Sequence, residues 1–464
     1  MSRVVTVSNR VLSSAQHGVV SGLGNALRQA LRGQDALWFG WDGLVSNEAA
    51  AHTRLCQDDA IHFASYSLLP DEYRHYYVGF CNGTLWPWLH DLPDQAEAQA
   101  RDYWAYRAAN RRFARLLQPL LRHDDIIWIH DYHLLPLAQE LRHLGIQTRI
   151  GFFLHTSFAI PESQHPQPIL MDLLSAMRHY DLVGFQTRLD RDAFAQIMAR
   201  APGFVSGPET LVCPVSVDAP ALQSQVRHSR VHESAATTPL MLGIDRLDPA
   251  KGLHQRLTAF EYFLASSADA RHRLHYQQIA APTRADLPGY QAMSDALRNR
   301  AAEIQARHAV STRTPIEWLE HCVPHAEALN QLAGAAIACV TPLRDGLNLV
   351  AKEFVAVQDN ADPGVLILAR TAGAAQELTS ALLVGAGEPA SITAAILQAL
   401  HMPLAERRAR HLQLWSALQR HTLSDWYQGL VAALGSSGAQ NLRLNTPAAW
   451  QDRKTRFQSS RIRR

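Results

Sequence analysis

The sequence is poor in each feature that would mark a secreted, membrane-spanning or nucleic-acid-binding protein. Only five cysteines occur in 464 residues: Cys56, Cys81, Cys213, Cys322 and Cys339. They are odd in number, scattered and form no CxxC pair, so neither a disulfide framework nor a thiolate metal site is expected; reduced thiols point to a cytoplasmic protein. No apolar run is long enough to span a bilayer, and Met1 leads straight into the apolar strand Val4 to Val7 with no signal-type segment, so no membrane contact is expected. An excess of one charge is also missing. Lys plus Arg is 44 against 42 for Asp plus Glu, a net charge of +2, which argues against a nucleic-acid partner. There is no evident short repeat.

What is present is an alternation of strands and helices. Arg3 to Ser8, Ala36 to Trp41, Asp124 to His130, Arg149 to Leu154 and Asp181 to Phe185 read as strands, with Ile61 to Tyr66 alternating like a half-buried one. A glycine-bearing loop at Val20 to Gly24 opens a helical stretch to Leu31, and another helix is predicted over Leu134 to Leu144. Asp218 to Thr238 has no long apolar run and reads as a linker between domains. The pattern restarts with strands at Leu240 to Leu247, Leu274 to Ile279, Ala335 to Val340 and Val365 to Leu368; after Leu378 the chain reads as helical. This predicts an α/β protein of two consecutive halves: an N-terminal domain over 1–230, a second over 231–420, a returning helix over 421–438 and a basic, solvated tail over 439–464. Polar residues repeatedly follow the strands, at Asn9 and Arg10, at Asp131 to His133, at His155, and at Gln186. In open parallel sheets ligands bind there. Tyr73, Tyr76, Tyr77, Trp86 and Trp88 form an aromatic patch whose faces suit the C–H faces of a sugar, although clustered aromatics commonly form core.

Cys339 to Phe354, CVTPLRDGLNLVAKEF, organises the second half. It reads as a strand, a tight loop and an amphipathic helix. Continued as a helix, the stretch puts Asp345 and Glu353 within roughly 80° of each other, opposite the apolar stripe. Eight residue steps, roughly 12 Å of rise, separate them. The free amides of Gly346, Leu347, Asn348 and Leu349 would then form an anion site at a helix start. His130, Asp131 and His133 share one loop, but adjacent positions diverge and no further His or Cys sits at ligand spacing, so no metal site is expected.

In order along the chain, SNR at Ser8 to Arg10, LWFGW, YY with LWP, HDYHLLP, GFFLH, RLD with KG, TPLRDGLNLVAKE and AGAAQELTSAL resemble the trehalose-6-phosphate synthases, to about Leu434. The resemblance implies a retaining glycosyltransferase of the GT-B fold: two Rossmann-like domains facing across a cleft, with a C-terminal helix crossing back to the first. It implies transfer of glucose from UDP-glucose to glucose 6-phosphate, without metal or other cofactor. By the same resemblance, Arg10, Tyr77 and Arg284 would hold the acceptor phosphate, and Trp41, Trp86 and Asp131 the acceptor sugar. Gly22, Leu23, Arg246, Lys251 and the segment Asp345, Gly346, Leu347, Asn348, Leu349 to Glu353 would hold the donor, with His155 on the transferred glucose. The reacting centre would lie among Asp131, His155, Arg246, Lys251 and Asp345. A homo-oligomer is compatible with this scheme.

Departures from the family pattern fall at Ser21, at Thr156 to Ala159, at Pro249 and Ala250, at Ser216 and at Gly385 to Glu388. None removes a charged contact; they bear on donor base, acceptor strictness and loop mobility. Two other readings stay open here. One is a glucosylglycerol-phosphate synthase or relative with another acceptor or nucleotide-glucose. The other is a sugar-phosphate-sensing regulator on the same scaffold.

Overall fold

Strands with both faces buried under helices carry unbroken apolar runs, and here they assemble into two open sheets. The computed structural model describes residues 2–11, 22–48, 53–164, 167–201, 206–229, 238–266, 273–284, 286–309 and 314–435. In the first sheet β1 (Val4–Arg10) pairs in parallel with β2 (Ala36–Val45) on one side and β5 (Ile126–His130) on the other. Beyond β2 come β4 (Ile61–Leu68) and the antiparallel edge β3 (Arg54–Asp58); beyond β5 come β6 (Ile150–Leu154), β7 (Leu182–Phe185) and β8 (Glu209–Val212). In the second sheet β9 (Leu240–Arg246) is flanked by β10 (His275–Ala281) and then β11 (Ile316–Leu319). On its other side lie β12 (Ile337–Val340), β13 (Val365–Ala369) and β14 (Leu382–Val384). The direction of sheet growth reverses between β1 and β5, and again between β9 and β12. Each reversal opens a crevice at the carboxyl ends of the strands, where the two connecting segments diverge.

Buried ion pairs pin the central strands of both sheets. The Arg3 guanidinium donates to both oxygens of Asp125, at 3.0 and 2.7 Å, joining the entries of β1 and β5. Arg256, fully buried, donates to Asp245, Gln278 and Thr341, which sit on or just after β9, β10 and β12.

Four sequence expectations change. The expected linker contains a helix, Ala219–Ser229, because Ala219, Leu222 and Val226 recur at helical spacing and are buried; 230–237 lies outside the described residues. A strand, β14, follows Leu378 before the chain becomes helical. Gly22 is the first residue of the helix Gly22–Leu31, not part of a loop ahead of it. The helix after Asp131 is shorter than expected, Leu137–His143, because Pro136 precedes it and Tyr132–Leu134 winds as a 3-10 turn. Ser21 and the tail 439–464 lie outside the described residues. Among the described residues no helix is long and apolar enough to cross a membrane.

The last helix, Leu423–Gly435, lies on the first sheet. Trp426 is fully buried, 4.8 Å from the Trp128 ring and edge-on to Phe153 at 5.6 Å. Glycines in β6 and β7 make room for it: a Cβ on Gly151 would come within 2.6 Å of Leu434 Cδ1, and one on Gly184 within 2.5 Å of the Phe153 ring. Gly151→Ala is therefore expected to destabilise the protein by about 1–3 kcal/mol. On that background Leu434→Ala should cost less than it does alone, as read from denaturant midpoints of the four forms. Strictly additive losses would refute this close packing.

Candidate active site

At the first crevice, β5 ends in His130 and the chain turns sharply through Asp131, whose φ of 70° is unfavourable for a residue with a Cβ. The turn is held because the Asp131 amide donates to Phe153 O at 2.8 Å, while Asp131 Oδ1 accepts from the His155 amide at 3.2 Å. Burial pushes the Asp131 carboxyl up to about 6, against the pull of the His155, Tyr132 and Thr156 amides and of the Arg246 charge from the other sheet. Burial also lowers His155 and His133 to about 3 and His90 to about 4, so all three are neutral near pH 7. His155 Nε2 lies 3.0 Å from His130 Nδ1, and its Nδ1 lies 3.4 Å from Gln186 Nε2. Gln186 Oε1 already accepts from the Val215 amide at 2.9 Å, so the amide group of Gln186 donates to His155 Nδ1 and the His155 proton resides on Nε2. A ligand contact at either ring nitrogen must exchange one of these bonds. His133 instead stacks on Tyr132 and Tyr77, with ring centroids 4.0 and 5.9 Å away, so the two loop histidines face different neighbours.

At the second crevice, Asp248 caps the short turn Pro249–Lys251, and Gly252 closes it at a φ of 66° with Thr341 O where a side chain would stand. Lys251 Nζ reaches Asp345 Oδ2 at 2.5 Å, and Asn348 donates to the same oxygen at 3.1 Å. Burial alone would raise the Asp345 carboxyl; the Lys251 ammonium and the Asn348 amide hold it below its ordinary value. Asp345 lies in the loop and not on the helix, which runs over Leu349–Val357 with Asn348 as its cap, φ 81°, accepting from the Ala351 amide. The expected helical angle between Asp345 and Glu353 therefore does not apply: Pro342 and Gly346 delay the helix, and Asp345 pairs instead with the segment at Thr371 to Gly373. Glu353 does lie on the helix, 2.8 Å from His325 Nε2.

The two crevices face each other. A Cβ on Gly346 would collide with the backbone at His155 and Thr156, so only glycine permits this approach. Gly22 packs on Leu349, and the two line a narrow cleft with Asn25, Gln29, His325 and Glu353; Leu23 follows Gly22, half-buried. Arg284 crosses from the second lobe with a φ of 50°. Its Nε donates to Asn82 Oδ1 at 2.9 Å and its Nη1 to Asp248 Oδ2 at 2.8 Å and Tyr290 OH at 2.7 Å; among the described residues Nη2 has only a long contact, 3.4 Å, with Tyr132 OH.

Arg10 is exposed over Trp41, 5.9 Å from the ring centroid, and Tyr77 packs edge-on to Trp41 at 5.2 Å. Through Tyr77, His133 and Tyr132 the contacts continue to Arg284, so Arg10 and Arg284 stand at opposite ends of one aromatic ledge. Trp86 is only 2% exposed, with Arg284 4.5 Å from its ring and His90 stacked at 4.0 Å, so its face is covered, and Tyr76 and Trp88 are core. Arg246 is largely exposed, with Nη2 3.9 Å from Asp248. Near Asp131, the loop that departs from the family pattern is anchored: Ser157 Oγ and the Ala159 amide both donate to Leu89 O, at 3.0 and 3.1 Å. A proline at 159 would have no amide to give.

Four residues that bear on the site were not singled out by sequence reasoning: Asn82, Tyr132, Asp248 and His325. The first three stand beside residues that were, whereas nothing in the sequence around His325 marks it. Among the described residues no cluster of His, Cys, Asp and Glu is arranged to hold a metal ion.

Residues 8–436 match glycosyltransferase family 20. The trehalose-6-phosphate synthase of Sodalis glossinidius is 37% identical over 451 residues, covering 93% of this chain and 95% of its own length. A solved α,α-trehalose-phosphate synthase (UDP-forming) from Burkholderia xenovorans, in complex with glucose-6-phosphate, superposes with a TM-score of 0.88 at 36% identity, covering 93% of this chain and 100% of its own. A trehalose-6-phosphate structure from E. coli, bound with UDP-2-fluoro glucose, gives 0.87 at 35% identity, over 93% and 99% of the two chains. With two parallel sheets facing across a cleft in the GT-B arrangement, and a match running through both, this chain belongs to glycosyltransferase family 20.

Proposed function

We propose that this protein transfers glucose from UDP-glucose to glucose 6-phosphate with retention, releasing UDP and α,α-trehalose 6-phosphate. Residues 1–230 form the acceptor lobe and 231–420 the donor lobe. The meeting of the crevices supports this reading more than any single residue: Gly346, next to the Lys251–Asp345 pair, comes up against the backbone at His155 and Thr156, with Arg284 inserted between the lobes. The departing UDP gains negative charge as the glycosidic bond breaks. Lys251, Arg246 and the amides of the loop from Gly346 to the helix start at Leu349 are assigned to stabilise it, with no step assigned to a metal. Gly22, Leu23 and Glu353 border the nucleoside end. Asp131 accepts from hydroxyls of the acceptor sugar, while Arg10, Tyr77 and Arg284 are assigned to its phosphate, at the ledge that runs from Trp41 through Tyr77 and His133 to Tyr132. No carboxylate is assigned as a covalent nucleophile; the leaving phosphate takes the acceptor's proton on the same face. All five cysteines are free thiols, which fits work in the cytoplasm on small soluble substrates.

The purified protein, given both substrates, should release UDP in a coupled assay and form a non-reducing disaccharide phosphate; no product with any common nucleotide-glucose would overturn the reading. Lys251→Ala is expected to lower kcat by about 100- to 1,000-fold. UDP release with saturating glucose 6-phosphate measures it, and a loss confined to KM would contradict the charge-stabilising role.

Asp131 gives a pH signature. Its carboxyl holds a proton up to about 6 in the folded chain, above the ordinary aspartate value, so the folded state binds more protons than the unfolded between about 4 and 6. The penalty of burying the charge is absent below about 4, grows across that window and is complete above about 6. Asp131→Asn should thus melt at a higher temperature than wild type at pH 8, nearly level with it at pH 4, while losing transferase activity. A lower melting temperature at pH 8 would refute the assignment.

A further inference from the structure

We propose that Asp248 is a positioning residue that ties the two substrate sites together. One of its carboxylate oxygens sets the turn behind the donor loop; the other orients the arginine offered to the acceptor phosphate. This rests on the donor and acceptor reading above and adds to it a residue with no contact to either substrate.

Asp248 lies just after β9 and is 1% exposed. Its Oδ1 accepts from the Ala250 amide at 3.1 Å, fixing the turn Pro249–Lys251. The carbonyl of Ala250 in turn accepts from the amides of Leu343, at 2.7 Å, and Arg344, at 3.3 Å, immediately ahead of Asp345. Lys251, at the end of the same turn, pairs with Asp345. Oδ1 therefore acts on the donor side.

Oδ2 acts on the acceptor side. It receives Arg284 Nη1 at 2.8 Å and lies 3.9 Å from Arg246 Nη2. A guanidinium has five N–H groups in a rigid plane. In Arg284 the Nε proton goes to Asn82 and the two Nη1 protons to Asp248 and Tyr290, so Nη2, loosely against Tyr132 OH, is the edge left for a phosphate. Only one of those three anchors carries charge. Without it the cation would be buried with no counter-ion, and the side chain would be free to turn Nη1 instead of Nη2 toward a phosphate.

Asp248→Asn separates the two duties, because asparagine keeps a carbonyl oxygen for the Ala250 amide but removes the charge facing Arg284. Calorimetry on the full chain, with glucose 6-phosphate and with UDP as separate titrants, reads each side. Wild type is titrated first, and failure of wild type to bind either compound would count against the proposed function and not against Asp248. In Asp248→Asn the Kd for glucose 6-phosphate should rise about 30-fold or more, with the Kd for UDP within about threefold of wild type. Tyr290→Phe, which removes a neutral anchor from the same nitrogen, should raise the glucose 6-phosphate Kd about three- to tenfold and leave UDP alone. Unchanged or tighter glucose 6-phosphate binding in Asp248→Asn would overturn the proposal, as would an equal loss of UDP, which would mark a purely structural turn. If Asp248→Asn does not fold, Tyr290→Phe decides, and an unchanged glucose 6-phosphate Kd there overturns it.

Discussion

A guanidinium taken out of water must find its partners inside the protein, and Arg284 finds them on both lobes at once. Asp248 and Tyr290 belong to the second lobe; Asn82, Tyr132 and the face of Trp86 belong to the first. An unpaired buried cation costs several kcal/mol, so the relative placement of the lobes is coupled to satisfying one side chain. The loop carrying Tyr132 also carries Asp131, so the Arg284 contact and the strained turn share one short segment. Beneath the other crevice Arg256 plays the corresponding part for β9, β10 and β12, but it stays within one lobe and so stiffens without linking.

Backbone strain collects at the same places. Among the described residues, Asp131, Arg284 and Asn348 are three of five non-glycine residues with positive φ. Each such conformation costs about 1–3 kcal/mol and persists only where the surroundings fix it. Asp131 is fixed by the Phe153 carbonyl on one side and by the Leu134 amide, which its own carbonyl accepts, on the other. Asn348 is fixed by capping Ala351 while donating to Asp345. Arg284 is fixed by its guanidinium and by the Leu287 amide on its carbonyl. The strained positions carry the polar groups aimed into the cleft, which regular strand or helix geometry at those points would have directed elsewhere.

Much of this was legible in the sequence because it follows from local pattern. Runs such as Ile126–His130 and Ile150–Leu154 are buried on both faces and read as strands without ambiguity, and the polar residues that follow them mark the binding edge. The reading of Asp345 on a helical face failed because periodicity cannot see where a helix starts when a tight loop, here Pro342 to Asn348, shares its composition. The helix Ala219–Ser229 was missed because its buried residues are spaced among Ser, Gln and His. Trp86 was expected to face a sugar, yet Arg284, almost 200 positions away, covers it. Asp248 and His325 matter through partners remote in sequence, and such partnerships leave no trace in local spacing.

The contacts that join the last helix and the second lobe to the first differ in kind, and the difference bears on how substrates enter. The packing of Trp426 and Leu434 on Trp128, Phe153 and Gly151 is apolar and buried, and nothing a sugar phosphate carries could replace it. The Tyr73 hydroxyl on Asp286, at 2.5 Å, and Arg344 on Asp91, at 3.3 Å, are exposed polar contacts; pairs of this kind contribute about 0–1 kcal/mol and are readily traded for water. Between these extremes stands Arg284, and within the second lobe Lys251 is held in a similar way. A carboxylate holds each, yet neither spends its whole donor set: Arg284 keeps Nη2, and Lys251 uses one of three ammonium protons on Asp345. An anion reaching either cation would meet N–H groups that the carboxylate does not use, while the bonds that orient the cation remain. Cations held in this way are already aimed before the substrates arrive, and little reorganisation is left for the moment at which the leaving group gains its charge.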